Sequence, residues 1–191
     1  MPEPDSAKIK TFASAKKLNQ WLKANHASEN ELWIKVFKVK TGKPSVSWAE
    51  IVIETLCWGW IDGVKKSIDR EAYLQRITPR KPRSSWSKRN REQAERLIGE
   101  GRMQEPGLVQ VRAAKADGRW KNAYAASEMK VPADFLAAVE REPKVKQCFE
   151  TLNKTNRYAI AYGLASAKRP ETRQRRFDKF LDMLMRGKKP A

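Results

Sequence analysis

The segment at residues 57–90 restricts the fold most, because glycines and prolines mark the limits of two extended runs in it. The first run, residues 59–68, is an extended segment punctuated by Gly59 and Gly63. The second, residues 73–78, alternates weakly and is followed by prolines at positions 79 and 82. Proline cannot donate a hydrogen bond to a sheet ladder, so the second run must end there. We therefore predict two antiparallel strands in this segment.

Helix caps and hydrophobic periodicity define the elements around this pair. The clearest signal is at Ser47, where Glu50 three residues later completes a capping box. In the helix that Ser87 caps, Ala94, Leu97 and Ile98 are expected to face the core. The elements predicted in this part of the chain are helices over residues 14–25, 47–57, 87–99 and 106–117, and a strand over residues 31–38.

After residue 129 the pattern is wholly helical, and prolines stand in the opening turns of three of the four predicted helices. The residues expected to be buried there are Phe135, Leu136, Val139, Val145, Phe149, Leu152, Tyr158, Ala161, Tyr162, Ala165, Phe177, Phe180, Leu181 and Leu184. The predicted fold class is α+β: a small antiparallel sheet of about three strands with flanking helices, followed by an all-helical C-terminal region. The predicted division is an α+β core at residues 1–130 and the helical region at residues 131–191.

Composition narrows the functional classes. Of the 191 residues, 40% are hydrophobic and seven are Trp, enough for a packed core. With two cysteines and one histidine, zinc-ligand spacing is missing, and we expect no metal or other cofactor. Both Cys57 and Cys148 are interpreted as buried, unreactive thiols. The acidic, proline-containing N-terminus has no apolar signal core and no run is long enough to cross a membrane, so we expect a cytoplasmic location without membrane insertion.

The formal net charge is +18, and it is distributed unevenly. Lys and Arg exceed Asp and Glu by 3 over residues 1–60, by 8 over residues 61–130 and by 7 over residues 131–191. Weak, sequence-independent binding of nucleic acid at low salt is therefore expected. A merely soluble basic surface explains the same charge.

The opening of the helix at Ser87 is the predicted anion site. Cations in its first turns, Lys88, Arg89 and Arg91, oppose the positive end of the helix dipole. A bound phosphate or carboxylate would remove this conflict, with backbone N–H groups, serine hydroxyls and Arg80 as donors. The other interpretation is that the cations simply extend into water, where screening makes the conflict negligible.

The tryptophans of residues 57–90 could provide a stacking surface beside this site, and core packing competes with that role. We favour the core for Trp60 and leave both roles open for Trp58 and Trp86. Asp62 is a turn residue, a partner of Arg80, or a carboxylate base. We predict that Arg80, Trp86, Ser87 and Asn90 line one cavity with Trp58 or Asp62. Arg80→Ala should then weaken anion-induced stabilisation and leave the melting temperature of the unliganded chain nearly unchanged.

Five motifs, at residues 57–63, 78–90, 101–103, 114–120 and 167–173, resemble the bacterial YdeI/OmpD-associated family over nearly the whole chain. The resemblance implies an association with an outer-membrane porin, or protection against bacteriocins and cationic peptides. Because the chain is this basic and lacks an export signal, we expect an indirect contribution to protection instead of direct contact with cationic peptides or the outer membrane.

The predicted function is non-catalytic binding of a small anionic ligand, with an indirect role in stress or in resistance to antimicrobial peptides and bacteriocins. One alternative is a sequence-independent nucleic-acid-binding protein. The other is an enzyme acting on a phosphorylated or carboxylated small molecule, with Asp62 and Arg80 nearest the chemistry. No catalytic residue and no oligomeric state is assigned. The predicted ligand-binding residues are Trp58, Asp62, Arg80, Ser85, Trp86, Ser87 and Asn90.

Overall fold

A computed structural model of the chain describes residues 3–125, 129–167 and 169–190. The chain forms two compact units, Met1–Ala123 and Tyr124–Ala191, called the first and second unit below. The division predicted from the sequence lies a few residues further along the chain.

The first unit combines a sheet with helices. Its elements in chain order are β1 (Ile9–Thr11), α1 (Ala15–Asn25), β2 (Leu32–Phe37), α2 (Trp48–Cys57), β3 (Trp60–Ser67), β4 (Ala72–Pro79), α3 (Lys88–Gly99) and α4 (Glu105–Ala116). Short 3-10 turns lie at Ser6–Lys8 and Val39–Thr41. The predicted helices and strands of this unit are confirmed to within a few residues.

The sheet is mixed, with strand order β1-β2-β4-β3. Antiparallel pairing joins β3 to β4 and β4 to β2, while β1 runs parallel to β2. The predicted α+β class and the antiparallel pairing of β3 with β4 are confirmed. The sheet has one more strand than predicted, since β1 is only three residues long and too short to show an alternating pattern.

The predicted cap of α2 is present in full. The Glu50 amide donates to Ser47 Oγ at 3.3 Å, and the Ser47 amide donates to the Glu50 carboxylate at 2.7 Å. Inside α3, Ala94 and Leu97 are fully buried as predicted. Burial of Ile98 was a wrong prediction, because its side chain lies on the solvent side of the stripe formed by the other two.

A close backbone contact joins the end of α2 to the start of α4. Gly59 adopts φ +71°, and a Cβ atom there would lie 2.6 Å from the carbonyl oxygen of Pro106. A Cβ atom on Gly107 would lie equally close, 2.6 Å, to the carbonyl oxygen of Leu56. The Arg80 amide donates to the Gly59 carbonyl at 2.9 Å, so the end of β4 is fixed to the same point. Only glycine permits this approach.

The second unit is helical in its described residues, with α5 (Ala133–Arg141), α6 (Pro143–Glu150), α7 (Lys154–Ala165) and α8 (Pro170–Met185). Its core consists of Phe135, Val139, Val145, Phe149, Leu152, Ile160, Leu164 and Leu184, against which Phe177, Phe180 and Leu181 pack.

Two predictions about its buried faces were wrong. Leu136 is 40% exposed, because the inward stripe of α5 is only wide enough for Phe135 and Val139. In α7 the buried residues are Ile160, Ala161 and Leu164, whereas Ala165 is exposed. The predicted face was based on Tyr158 and Tyr162, and the buried face of α7 lies part of a turn away from them.

No helix among the described residues has both the length and the apolar character needed to cross a bilayer.

We expect Leu184→Ala to lower the free energy of unfolding of the second unit by about 2–5 kcal/mol, since its side chain is fully buried and leaves a cavity. Its neighbour Met185 is 43% exposed, so Met185→Ala is the matched control with a change below about 0.5 kcal/mol. Urea unfolding followed by circular dichroism measures both. Equal effects of the two substitutions would show that α8 does not pack as described.

Candidate functional site

Arg80, which was predicted to line a ligand-binding cavity, forms the centre of a buried contact group. It is 4% exposed, and its Nη1 donates to the carbonyl of Ser85 at 3.0 Å. The guanidinium carbon lies 4.0 Å from the centroid of the Trp86 ring, a cation–π contact. The structure thus brings together three of the seven predicted residues, and their contacts attach residues 80–86 to the sheet.

Trp86 is a core residue. It is 2% exposed and packs edge-to-face on Trp120 at 4.8 Å between ring centroids. Its indole nitrogen is buried and has no hydrogen-bond partner among the described residues. Arg119, which the prediction omitted, donates to the carbonyl of Ser84 at 2.7 Å. Its signal was present in the motif at residues 114–120, and its role is to hold the same loop.

Ser87 and Asn90 lie at the start of α3. The Ser87 hydroxyl accepts from the Asn90 amide at 3.1 Å, which confirms the predicted cap. Asn90 also lines a cavity of about 60 Å³ between α2 and α3, together with Arg89 and Gln93. The Gln93 Nε2 atom is buried and has no partner in the described structure. This space suits a few water molecules rather than a ligand of metabolite size.

Trp58 and Asp62 each have a separate partner. The Trp58 ring is buried and lies 4.8 Å from the His26 ring. The Asp62 carboxylate accepts from Trp48 Nε1 at 3.0 Å. The Arg89 guanidinium carbon lies 4.7 Å from the centroid of the Trp48 ring. These contacts use Trp58 and Asp62 within the first unit, and ligand binding by the seven residues stays a prediction.

The thiol of Cys57 is buried at the end of α2, and burial raises its pKa to about 11. The predicted burial of Cys57 is confirmed, and a raised pKa makes a thiol a poor nucleophile at neutral pH. Cys148 is only half-buried, in contrast to its predicted burial. Within the described part of the chain, no three His, Cys, Asp or Glu side chains are placed to hold a metal ion.

A larger cavity, of about 550 Å³, lies within the second unit. We call it the α5–α7 cavity, because α5 and α7, the end of α6 and the segment before α5 all contribute side chains to it. Its lining residues are Met129, Lys130, Val131, Leu136, Phe149, Lys154, Arg157 and Tyr158. None of them was among the predicted ligand-binding residues.

The lining of the α5–α7 cavity is apolar on one part and cationic on another. Three cations, Lys130, Lys154 and Arg157, take part, and no carboxylate is among the described lining residues. Lys154 is the first residue of α7 and Arg157 lies in its first turn, where the helix dipole disfavours cations. A bound anion would stabilise this arrangement.

Arg157 is held in one orientation by two contacts. Its Nε donates to the carbonyl of Leu152 at 3.2 Å, and its guanidinium carbon lies 4.8 Å from the centroid of the Phe149 ring. Beside it, Tyr158 stacks on Tyr162 at 5.7 Å with an interplanar angle of 23°. Burial raises the pKa of the Tyr158 hydroxyl.

The α5–α7 cavity had a sequence signal that our predictions did not use. Cations in the first turn after an N-cap residue pointed to an anion site at Ser87, and the same pattern occurs after Asn153. The apolar part of the lining comes from other segments, and helical periodicity alone does not bring them together.

Two protein-family models match different parts of the chain. Residues 10–110, more than half of the chain, match the model of a domain of unknown function (DUF8412). The chain belongs to this family. Residues 128–187 match the family described as Bacteriocin-protection, YdeI or OmpD-Associated. No curated protein and no solved structure matches the chain significantly.

The predicted resemblance to the YdeI/OmpD-associated family is confirmed over part of the chain only. The motifs at residues 57–63 and 78–90, which we assigned to that resemblance, lie within the DUF8412 match. The motif at residues 167–173 lies within the YdeI/OmpD-associated match, and its Lys168 is outside the described residues. The described lining residues of the α5–α7 cavity all lie within the second match.

We expect Arg80→Ala to lower the free energy of unfolding by about 1.5–3 kcal/mol, because a buried charged hydrogen bond is lost. This reverses the expectation from the sequence that Arg80→Ala leaves the melting temperature of the unliganded chain nearly unchanged. Lys81→Ala removes the neighbouring exposed cation and should change stability by less than about 0.5 kcal/mol. Thermal and urea unfolding of both variants measure the difference. An unchanged stability of Arg80→Ala would return Arg80 to the candidates for a ligand-binding residue.

Proposed function

We propose that the chain is a non-catalytic binding protein for a small anionic ligand, and that the ligand occupies the α5–α7 cavity. The observation that carries the proposal is the lining of that cavity, which combines three cations with apolar side chains and no carboxylate among its described residues. Its volume of about 550 Å³ is in the range of small-molecule sites.

Anion binding is favoured by the position of the cations. Lys154 and Arg157 stand at the positive end of α7, so each is repelled by the helix dipole as well as by the other. An anion between them is attracted by both cations and by the helix dipole, and this attraction offsets both repulsions.

Nucleic-acid recognition has less support than ligand binding. Single-stranded nucleic acid is bound by bases stacking on exposed aromatic rings. Trp86 and Trp58, the stacking surfaces considered from the sequence, are both buried. The remaining argument is the net charge of +18, which accounts only for weak, salt-sensitive binding.

A catalytic function also has less support. Asp62 accepts a hydrogen bond from Trp48, and Arg80 is buried beside Trp86. The described lining of the α5–α7 cavity contains no His, Cys, Asp or Glu, the usual general bases and nucleophiles. A binding role needs none of these groups.

The role in protection that the family description names is proposed to be indirect. A chain with a net charge of +18 repels cationic peptides, so capture of such peptides is disfavoured. Binding of an anionic metabolite in the cytoplasm would affect resistance through that metabolite instead. The cytoplasmic location is part of this proposal.

Isothermal titration of the full chain with inorganic phosphate, adenosine monophosphate, citrate and octanoate tests the proposal. We expect at least one of these anions to bind saturably. The double variant Lys130→Gln/Lys154→Gln should weaken that binding tenfold or more, about 1.4 kcal/mol. Both side chains line the cavity.

The matched control is Lys144→Gln/Lys188→Gln, which removes the same charge from exposed positions of the second unit. Its affinity should stay within about twofold, because exposed charges at a distance are screened. Failure of all four anions to saturate, or equal losses in the two double variants, would contradict the proposed site.

A further inference from the structure

We infer that the ligand of the α5–α7 cavity is an amphiphilic carboxylate, with its acid group at Arg157 and Lys154 and its apolar body against Leu136, Val131 and Phe149. This inference rests on the proposed anion binding and adds the chemical class of the ligand. It follows from three features of the cavity.

The first feature is an apolar wall that a polar anion would leave in water. Leu136 is 40% exposed at this wall, and Met129 and Val131 beside it are half-buried. Large apolar side chains grouped at a concave surface mark binding sites for apolar groups. A hydrophilic ion such as phosphate covers none of this surface, whereas an alkyl or aryl body removes it from water.

The second feature is the orientation of Arg157. Its Nε donates to the Leu152 carbonyl, and its guanidinium carbon lies over the Phe149 ring. The edge formed by Nη1 and Nη2 has no partner among the described residues, and this edge matches the two oxygens of a carboxylate. Because the guanidinium is already oriented, little side-chain entropy is lost when the carboxylate binds.

The third feature is that the two chemistries are adjacent. Phe149 contributes both to the apolar wall and to the surface on which the Arg157 guanidinium rests. A ligand whose acid group contacts the guanidinium therefore has its next atoms beside the Phe149 ring. Lys154, one turn earlier on α7, adds a second cation at the same end.

Isothermal titration of the full chain with octanoate, acetate and octan-1-ol separates the two parts of the ligand. We expect octanoate, below its micellar concentration, to bind at one site. Acetate lacks the apolar body and octan-1-ol lacks the charge, so each should bind at least tenfold more weakly.

Leu136→Asn tests the apolar wall directly. Because Leu136 is partly exposed, the variant should remain folded, and it should weaken octanoate binding tenfold or more. The matched control is Met185→Asn, at a position that is 43% exposed and is not among the residues lining the cavity. The control should bind octanoate as the unaltered chain does.

The outcomes separate this inference from the function on which it rests. If acetate or phosphate binds as tightly as octanoate, and Leu136→Asn has no effect, the inference that the ligand is amphiphilic is wrong. The proposed anion binding is then still supported. If octan-1-ol binds as tightly as octanoate, the charge contributes nothing and both are wrong. If a hydrophilic anion alone saturates the site, the inference also fails.

Discussion

The backbone contact between residues 57–59 and residues 106–107 determines the arrangement of the first unit. Gly59 and Gly107 have no Cβ atom, so the end of α2 and the start of α4 approach to a distance that any side chain would prevent. The Gln104 amide donates to the Cys57 carbonyl at 3.1 Å across the same contact. Two helices and the end of β4 are thereby fixed at one point.

Arg80 depends on that point, and the loop after β4 depends on Arg80. Its amide is bonded to Gly59, which places its guanidinium under the loop, on the Trp86 ring. The buried Arg80 cation therefore holds this loop through the Ser85 carbonyl and the Trp86 ring. The aromatic and basic side chains at residues 80–86 therefore contribute to the packing of the first unit.

The sequence predicted local features well, because their causes are local. The cap at Ser47 and the strand end at Pro79 depend on residues within a few positions of each other. The burial of Arg80 could not be predicted, since it requires the approach of Gly59 and Trp86 in three dimensions. The α5–α7 cavity was missed for the same reason, as its lining is drawn from segments between residues 129 and 158.

Cations at helix starts have different surroundings in the two units, and this difference supports a ligand at α7. In α3, the Arg91 guanidinium donates to the carbonyl of Trp120 at 3.4 Å, and Arg89 rests on Trp48. Arg157 has contacts of the same two kinds, with the carbonyl of Leu152 and the Phe149 ring, so the two helices differ at Lys154. At α7, Lys154 has no hydrogen-bond or ion-pair partner among the described residues, and it faces the same cavity as Arg157.

Nitrogen-15 NMR of the full chain titrated with octanoate is the most direct test that ligand binding lies in the second unit. We expect saturable amide shift changes concentrated in residues 129–158, around the lining of the α5–α7 cavity. Residues 80–93 should keep their shifts, since Arg80, Trp86 and Ser87 have structural contacts. Saturable changes confined to residues 80–93 would contradict the account and place the site at the start of α3.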